Sequence, residues 1–302
     1  MRQSTYTFYY IERCEMCGDS TAAHHVLGNR LNQTQGISPK SKTGISVTVV
    51  KCDNCKLIYS QPLPIPQTIQ DHYNTPPESY WGEDYFNVDE NYFSNEINIV
   101  RDLLSFTPGM ISLDIGAGLG KCMLAMEKVG FNSYGIEPSI LFYNRAISKM
   151  GISKEKLQMG MVENVTYPEN KFDFITYGAV FEHLYHPAES LEKSLAWLRP
   201  GGIIHIEVPS SKYFIARLIN FYYKICRTTY VSNLSPMHTP FHLYEFDLKS
   251  FEKLGEKLNY KIQKYEYHVC EISFIPKILK PLFHYFMKVT NTGMQLTVYL
   301  KK

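Results

Sequence analysis

Long apolar runs are missing from this chain of 302 residues: no stretch approaches the roughly 20 uninterrupted apolar positions that a membrane-crossing helix needs. The opening residues, Met1 to Thr5, lead into mixed aromatic and polar positions rather than the apolar core of a secretion signal, so a cytoplasmic protein is expected. Internal repeats and low-complexity tracts are also lacking, which excludes solenoid and disordered classes. Hydrophobic residues make up 44% and charged residues 20%, the balance of a soluble globular protein. Net charge is small, +2, but unevenly spread: Lys212 to Lys302 holds 14 Lys plus Arg against six acids. A basic C-terminal third of this kind fits a phosphate-bearing substrate, an anionic membrane surface, nucleic acid or a plain lysine-rich solvated face.

Cysteine is scarce outside one region. Of seven, Cys122, Cys226 and Cys270 are scattered, whereas Cys14-Glu15-Met16-Cys17 and Cys52-Asp53-Asn54-Cys55 form two Cys-x-x-Cys pairs. Without an export signal a disulfide framework is disfavoured, and the pairs read as a metal site. Two pairs of thiolates close a tetrahedral site with no open position for water, so structural Zn2+ on Cys14, Cys17, Cys52 and Cys55 is expected. The 34 residues between the pairs exceed the usual spacing and imply an inserted loop, read from Gly28 to Gly44. A metal-free reduced site and a redox pair are the other readings. Ile45 to Lys51 alternates and is β-branched, so it reads as a strand. Pro62, Pro64 and Pro66, then Pro76-Pro77, are expected to break the chain. These features divide it into a zinc-binding module at 1–75, a linker at 76–91 and a larger domain at 92–302.

Beyond the linker, apolar residues recur at helical spacing from Asn91 to Phe106, and a regular alternation follows. Strands are expected at 110–114, 132–136, 157–160, 172–177 and 202–208, with helices at 121–129, 139–150 and 188–198 between them. Strands separated by helices of this length make βαβ units: an α/β fold with a parallel sheet covered on both faces. Later come helices at 213–226 and 247–258, with Asp247 as N-cap, and strands at 260–267 and 295–300. The amphipathic stretches 213–226 and 273–288 are read as core with a contribution to a substrate lid, a membrane-facing surface being the other reading.

Leu113-Asp114-Ile115-Gly116-Ala117-Gly118-Leu119-Gly120 follows a strand and opens a helix. Glycines there let the backbone approach a bound cofactor closely. Glu137 ends the next strand, 21 residues after Gly116, where a carboxylate accepts bonds from both hydroxyls of a ribose. A bare tight turn beside a solvent-facing Glu137 is the bland alternative. The segment resembles the first motif of class I S-adenosylmethionine-dependent methyltransferases, and Gly135-Ile136-Glu137 is similar to their second. Phe172-Asp173-Phe174-Ile175 resembles their fourth strand, Val180 to Pro187 their E-H-hydrophobic-x-x-P segment, and Leu198 to Gly202 the turn before strand five.

The resemblance implies a Rossmann-like seven-stranded methyltransferase sheet preceded by the small zinc-binding domain. It also implies that Gly116, Gly118 and Gly120 line S-adenosylmethionine, that Asp114 orients the loop and the cofactor amine, and that Glu137 binds the ribose. Met161 takes the adenine-side position where many relatives carry an acid, and would pack there instead. His183 stands where a general base removes a proton from the acceptor; packing beside the cofactor or hydrogen-bonding within its loop is its other reading. His186, His238 and His242 are weaker candidates for that role. The two-pair module ahead of such a domain resembles bacterial enzymes acting on sugars, nucleotide sugars or other secondary metabolites. A small-molecule or glycan-precursor acceptor is therefore the leading expectation. RNA methylation and a non-catalytic S-adenosylmethionine-binding scaffold are the alternatives. Nucleic acid is disfavoured, because the N-terminal region has no dense basic run and no interleaved basic and aromatic strand.

Overall fold

The computed structural model describes residues 6–30, 45–68, 70, 86–234, 241–270, 272 and 275–302. His238, Pro76-Pro77, most of the expected linker and the expected loop beyond Arg30 lie outside the described residues.

The N-terminal region forms β1 (Tyr6–Tyr9), β2 (His25–Arg30), β3 (Thr48–Lys51), β4 (Ile58–Gln61) and β5 (Leu63–Pro66). β1 and β5 pair antiparallel, so Pro64 and Pro66 do not break the chain as expected but lie within a strand, whereas Pro62 does mark a break, between β4 and β5. A two-stranded ribbon leaves one side of each strand unpaired, which suits residues that lack an N–H donor. Gly28, expected to begin a loop, instead lies within β2.

From residue 94 the alternation read in the sequence is present. It runs α1 (Ser94–Leu104), β6 (Ile111–Ile115), α2 (Lys121–Lys128), β7 (Asn132–Glu137) and α3 (Ile140–Ser148). It continues through β8 (Leu157–Met159), β9 (Phe172–Gly178), α4 (Pro187–Trp197) and β10 (Leu198–Pro209). The first six residues of β9 are all buried, as a central strand covered on both faces requires. The C-terminal third adds α5 (Phe214–Ile225), β11 (Tyr230–Val231), β12 (Tyr244–Glu245), α6 (Leu248–Leu258), β13 (Lys261–His268), α7 (Lys280–Thr290) and β14 (Gln295–Lys301). Asp247 caps α6 as expected, in a reciprocal capping box with Ser250.

Seven strands form the main sheet in the order β13-β14-β10-β9-β6-β7-β8. β10, β9, β6, β7 and β8 run parallel, and β14 lies antiparallel between β10 and β13. The connections diverge between β6 and β9, leaving a crevice at the carboxyl ends of the strands, the usual ligand position in such sheets.

A second sheet, β11-β2-β3-β4-β12, takes its outer strands from residues that follow β10. The 1–75 and 92–302 regions thus share a sheet, and they share a core too. Cys14, Cys52, Cys55 and Tyr59 are buried in one cluster with Phe181, Tyr244 and Phe246.

The two amphipathic stretches depart from the core reading. Phe221, Ile225 and Leu282 are each 64% exposed and Tyr285 68%, with only inner residues such as Ile215 and Met287 buried. Among the described residues no helix is long and apolar enough to cross a membrane.

Candidate functional site

The turn from β6 into α2 is shaped by its glycines. Gly116, Gly118 and Gly120 all have positive φ, at 72°, 55° and 77°. A Cβ on Gly116 would overlap Val180, and one on Gly120 would fall 2.7 Å from the Ile152 side chain. Above Gly118 the space is open, the nearest heavy atom being a Phe142 carbon at 3.8 Å. The backbone at Gly118 is thus accessible, while its neighbours hold the turn rigid. Gly116 and Ala117 both donate their N–H groups to the Ile136 carbonyl at 2.9 Å, tying the loop to β7.

Glu137 ends β7 beside that turn. Its Oε2 accepts from the Gly118 N–H and its Oε1 from the Ser139 N–H, each at 2.7 Å. Both oxygens are fixed by backbone, and each keeps a second acceptor lobe. Burial pushes the Glu137 carboxyl up to about 7, against the lowering effect of those two bonds. Asp114, at the penultimate position of β6, is pushed up to about 8 by burial and then by the nearby Glu137. Near neutral pH the pair therefore holds a proton that a cationic ligand would expel. Gly160 donates to the Glu137 carbonyl at 3.1 Å, which sets the half-buried Met161 just beyond the β7 and β8 ends.

Gln70 ties the next turn, from β7 into α3, which the sequence did not reveal. Its amide donates to the Pro138 carbonyl at 2.7 Å and accepts from the Ile140 N–H at 3.1 Å. A lone glutamine ahead of the expected linker carries no local signal for such a contact.

On the other side of the crevice β9 ends at Gly178, and Ala179 follows at φ +53°. That strained step places Val180 over Gly116 and starts a short 3-10 turn, Phe181–His183. His183 Nδ1 lies 2.8 Å from the Phe241 carbonyl. Only a protonated Nδ1 can donate there, so in the neutral ring Nε2 is the basic atom. Nε2 stands 3.9 Å from Glu182 Oε1, and His242 Nε2 lies 3.8 Å from the same oxygen. Glu182 is buried and pushed up to about 8, chiefly by desolvation. Sequence reasoning named His183 and His242 separately and gave Glu182 no role; their meeting depends on a contact across 60 residues.

Of the other histidines, His186 does not join this group and instead faces Glu15 at 3.3 Å, linking the first knuckle to the start of α4. His205, inside β10, bonds Thr176 at 2.8 Å, and burial holds its pKa down to about 3, the behaviour of a core residue. The N-terminal region reaches the His183 group through Arg30, wholly buried, which donates to the His242 carbonyl.

The four paired cysteines converge. Cys14 and Cys55 sulfurs are 3.4 Å apart, those of Cys17 and Cys52 are 3.5 Å apart, and all four lie within 4.8 Å of one another. Sulfurs around a tetrahedral zinc, with Zn–S of about 2.3 Å, would be separated by about 3.8 Å, so the donor set fits such an ion. Hydrogen bonding from Cys14 draws the Cys52 thiol down to about 4, while Cys14 itself is pushed far up. Ser250, in the α6 capping box, donates to the Cys55 carbonyl at 2.9 Å and anchors the second knuckle.

A sheet in this order, with β14 inserted antiparallel beside β10, is the Rossmann-like fold of S-adenosylmethionine-dependent methyltransferases. The chain belongs to the methyltransferase-domain family, whose profile, described as "Methyltransferase domain", matches residues 92–265. It is an enzyme of that class, with S-adenosylmethionine as methyl donor. Among solved structures it is similar to an S-adenosylmethionine-dependent methyltransferase from Methanosarcina mazei, at 14% identity and a TM-score of 0.49, over 68% of this chain and 96% of that one. Another similar structure is one from Archaeoglobus fulgidus, at 16% and 0.44 over 73% and 97%. A third is one from Mesorhizobium loti, at 12% and 0.48 over 72% and 100%. No curated protein matches the chain.

Proposed function

We propose that the protein transfers the methyl group of S-adenosylmethionine to a small-molecule acceptor, a sugar, nucleotide sugar or related glycan precursor, with His183 as general base. The observation that carries this reading is the seclusion of His183. Its side chain is only 14% exposed, and it sits beside Glu182 and His242 across Val180 from the glycine loop. A compact acceptor reaches a side chain so enclosed more readily than a base held in folded RNA does.

Bound there, S-adenosylmethionine supplies an electrophilic methyl carbon on a sulfonium. What remains for the chain is positioning, which converts a bimolecular encounter into an aligned one. Gly116, Gly118 and Gly120 give the backbone close approach, and Asp114 faces the cofactor's cationic groups. The two lone acceptor lobes of Glu137 take the ribose hydroxyls. Met161 supplies an apolar contact on the adenine side. His183 Nε2 takes the acceptor's proton, with its ring held by the Nδ1 bond to the Phe241 carbonyl. Zinc on Cys14, Cys17, Cys52 and Cys55 would be structural. It would hold the 1–75 module, from which Arg30 braces the His242 carbonyl. The transfer domain is assigned to 92–302, with 76–91 as its linker.

The test is His183→Ala assayed against a panel of nucleoside-diphosphate sugars. Turnover on the accepted sugar should fall by about 10²–10⁴-fold, while the Kd for S-adenosylmethionine stays within about twofold. Unchanged turnover removes His183 from catalysis, and no methylation of any sugar in the panel removes the acceptor class.

A further inference from the structure

α5 and α7 pack side by side. The Phe214 ring lies 4.7 Å from Phe286 and 6.1 Å from Phe283, over a small core of Ile215, Ile272 and Met287. That core uses only their inner edges. Outward, α5 presents Phe221 and Ile225 one turn apart, and α7 presents Leu282, Tyr285 and Val289, each 64–68% exposed, with Ile278 just ahead at 87%. Single exposed apolar residues are ordinary, but two adjoining stripes of them mark a surface that something covers.

The charges around the stripes say what kind of surface that is. Residues 214–227 contain Arg217, Lys224 and Arg227, residues 275–290 contain Lys277, Lys280 and Lys288, and neither stretch has an Asp or Glu. A second copy of this chain would oppose one set of six cations with another and offer no acid in return. An anionic lipid surface offers both complements at once, phosphates for the cations and acyl chains for the stripes. Length settles the mode of contact. Helices of 12 and 11 residues reach only about 18 and 16 Å, well short of the roughly 30 Å hydrocarbon layer, so they lie along the interface.

We propose that α5 and α7 form a docking surface for an anionic phospholipid membrane. Phe221, Ile225, Leu282 and Val289 enter the boundary between headgroups and acyl chains, Tyr222 and Tyr285 sit at headgroup level, and the lysines and arginines meet lipid phosphates. α5 begins five residues after β10 ends, at the carboxyl edge that carries the glycine loop and His183. Docking in this way sets the transfer site against the membrane, where an acceptor attached to a lipid would be presented.

The experiment is sedimentation of the full chain with vesicles of phosphatidylcholine alone, or with roughly a third of the lipid as phosphatidylglycerol. It is repeated with the Phe221→Asp/Leu282→Asp double variant, whose melting temperature and S-adenosylmethionine Kd should match the parent because both side chains face solvent. The parent should bind mixed vesicles at least tenfold more tightly than neutral ones, and less tightly as salt rises. The double variant should lose at least tenfold in partitioning. Equal partitioning of parent and variant overturns the proposal, as does failure to bind mixed vesicles. A concentration-dependent dimer that the substitutions disperse, with no vesicle binding, reassigns the face to a second copy and overturns it too.

Discussion

Replacing Glu137 with alanine is expected to raise the Kd for S-adenosylmethionine about 100-fold, equivalent to about 2.7 kcal/mol. Two contributions add. A hydrogen bond from a ribose hydroxyl to a charged acceptor is worth about 1.5–3 kcal/mol. The same carboxylate holds the Gly118 and Ser139 N–H groups at 2.7 Å, so removing it also loosens the glycine turn. Titration calorimetry of parent and variant measures the change; a Kd within about threefold of the parent would take Glu137 out of the cofactor site.

A pH dependence accompanies this. Asp114 and Glu137 are raised to about 8 and about 7, so near pH 6 the pair is largely protonated. The cofactor carries a sulfonium, which favours the ionised pair, so its binding at low pH must expel a proton. Affinity should therefore rise with pH from about 6 to about 8, by at most about tenfold per unit for each proton released, and level off above. In Glu137→Gln the lower part of that slope should vanish. A flat profile in the parent would mean that the pair does not meet the cofactor's charge.

The second large effect is expected at the cysteines. Purified protein should carry about one equivalent of zinc, and Cys55→Ser should abolish it and lower the melting temperature by more than about 10 °C. A structural zinc contributes on the order of 10 kcal/mol of apparent binding free energy to the fold it closes, and about 1 kcal/mol moves the midpoint of a domain this large by about 2–4 °C. The effect should spread beyond the knuckles, because Cys55 is buried in the same cluster as Phe181 and Phe246. Its carbonyl also receives the Ser250 hydroxyl that starts α6. Cys226→Ser, at an exposed position, is the control and should alter neither quantity. Less than about half an equivalent of zinc in fresh protein, or a chelator that leaves melting unchanged, would contradict the structural role.

The main sheet was legible because its signals are local. Glycines at 116, 118 and 120, the acid at 137 and the apolar strands between them stand in register along the chain, and each element forms from its own periodicity. What stayed hidden depends on distant partners. β11 and β12 are two residues long, too short to carry an alternating pattern, and exist because β2 and β4 pair with them from nearly 200 residues away. Pro64 and Pro66 read as breaks because proline discourages strands in general, whereas pairing with β1 makes Leu63–Pro66 an edge. Glu182 gained meaning only when His242 was brought to 3.8 Å of it. The amphipathic helices α5 and α7 have the periodicity of core elements, and sequence cannot say whether an apolar stripe meets protein or solvent.

Most direct of all is the fate of labelled methyl from S-adenosylmethionine incubated with the protein and extract of the cells it comes from, with and without nuclease. Methyl transfer to a small molecule or glycan precursor predicts nuclease-resistant label in low-mass or glycan material, lost in the His183→Ala variant. Label that nuclease releases would make RNA the acceptor, and no label above that variant's background would contradict His183-dependent methyl transfer itself.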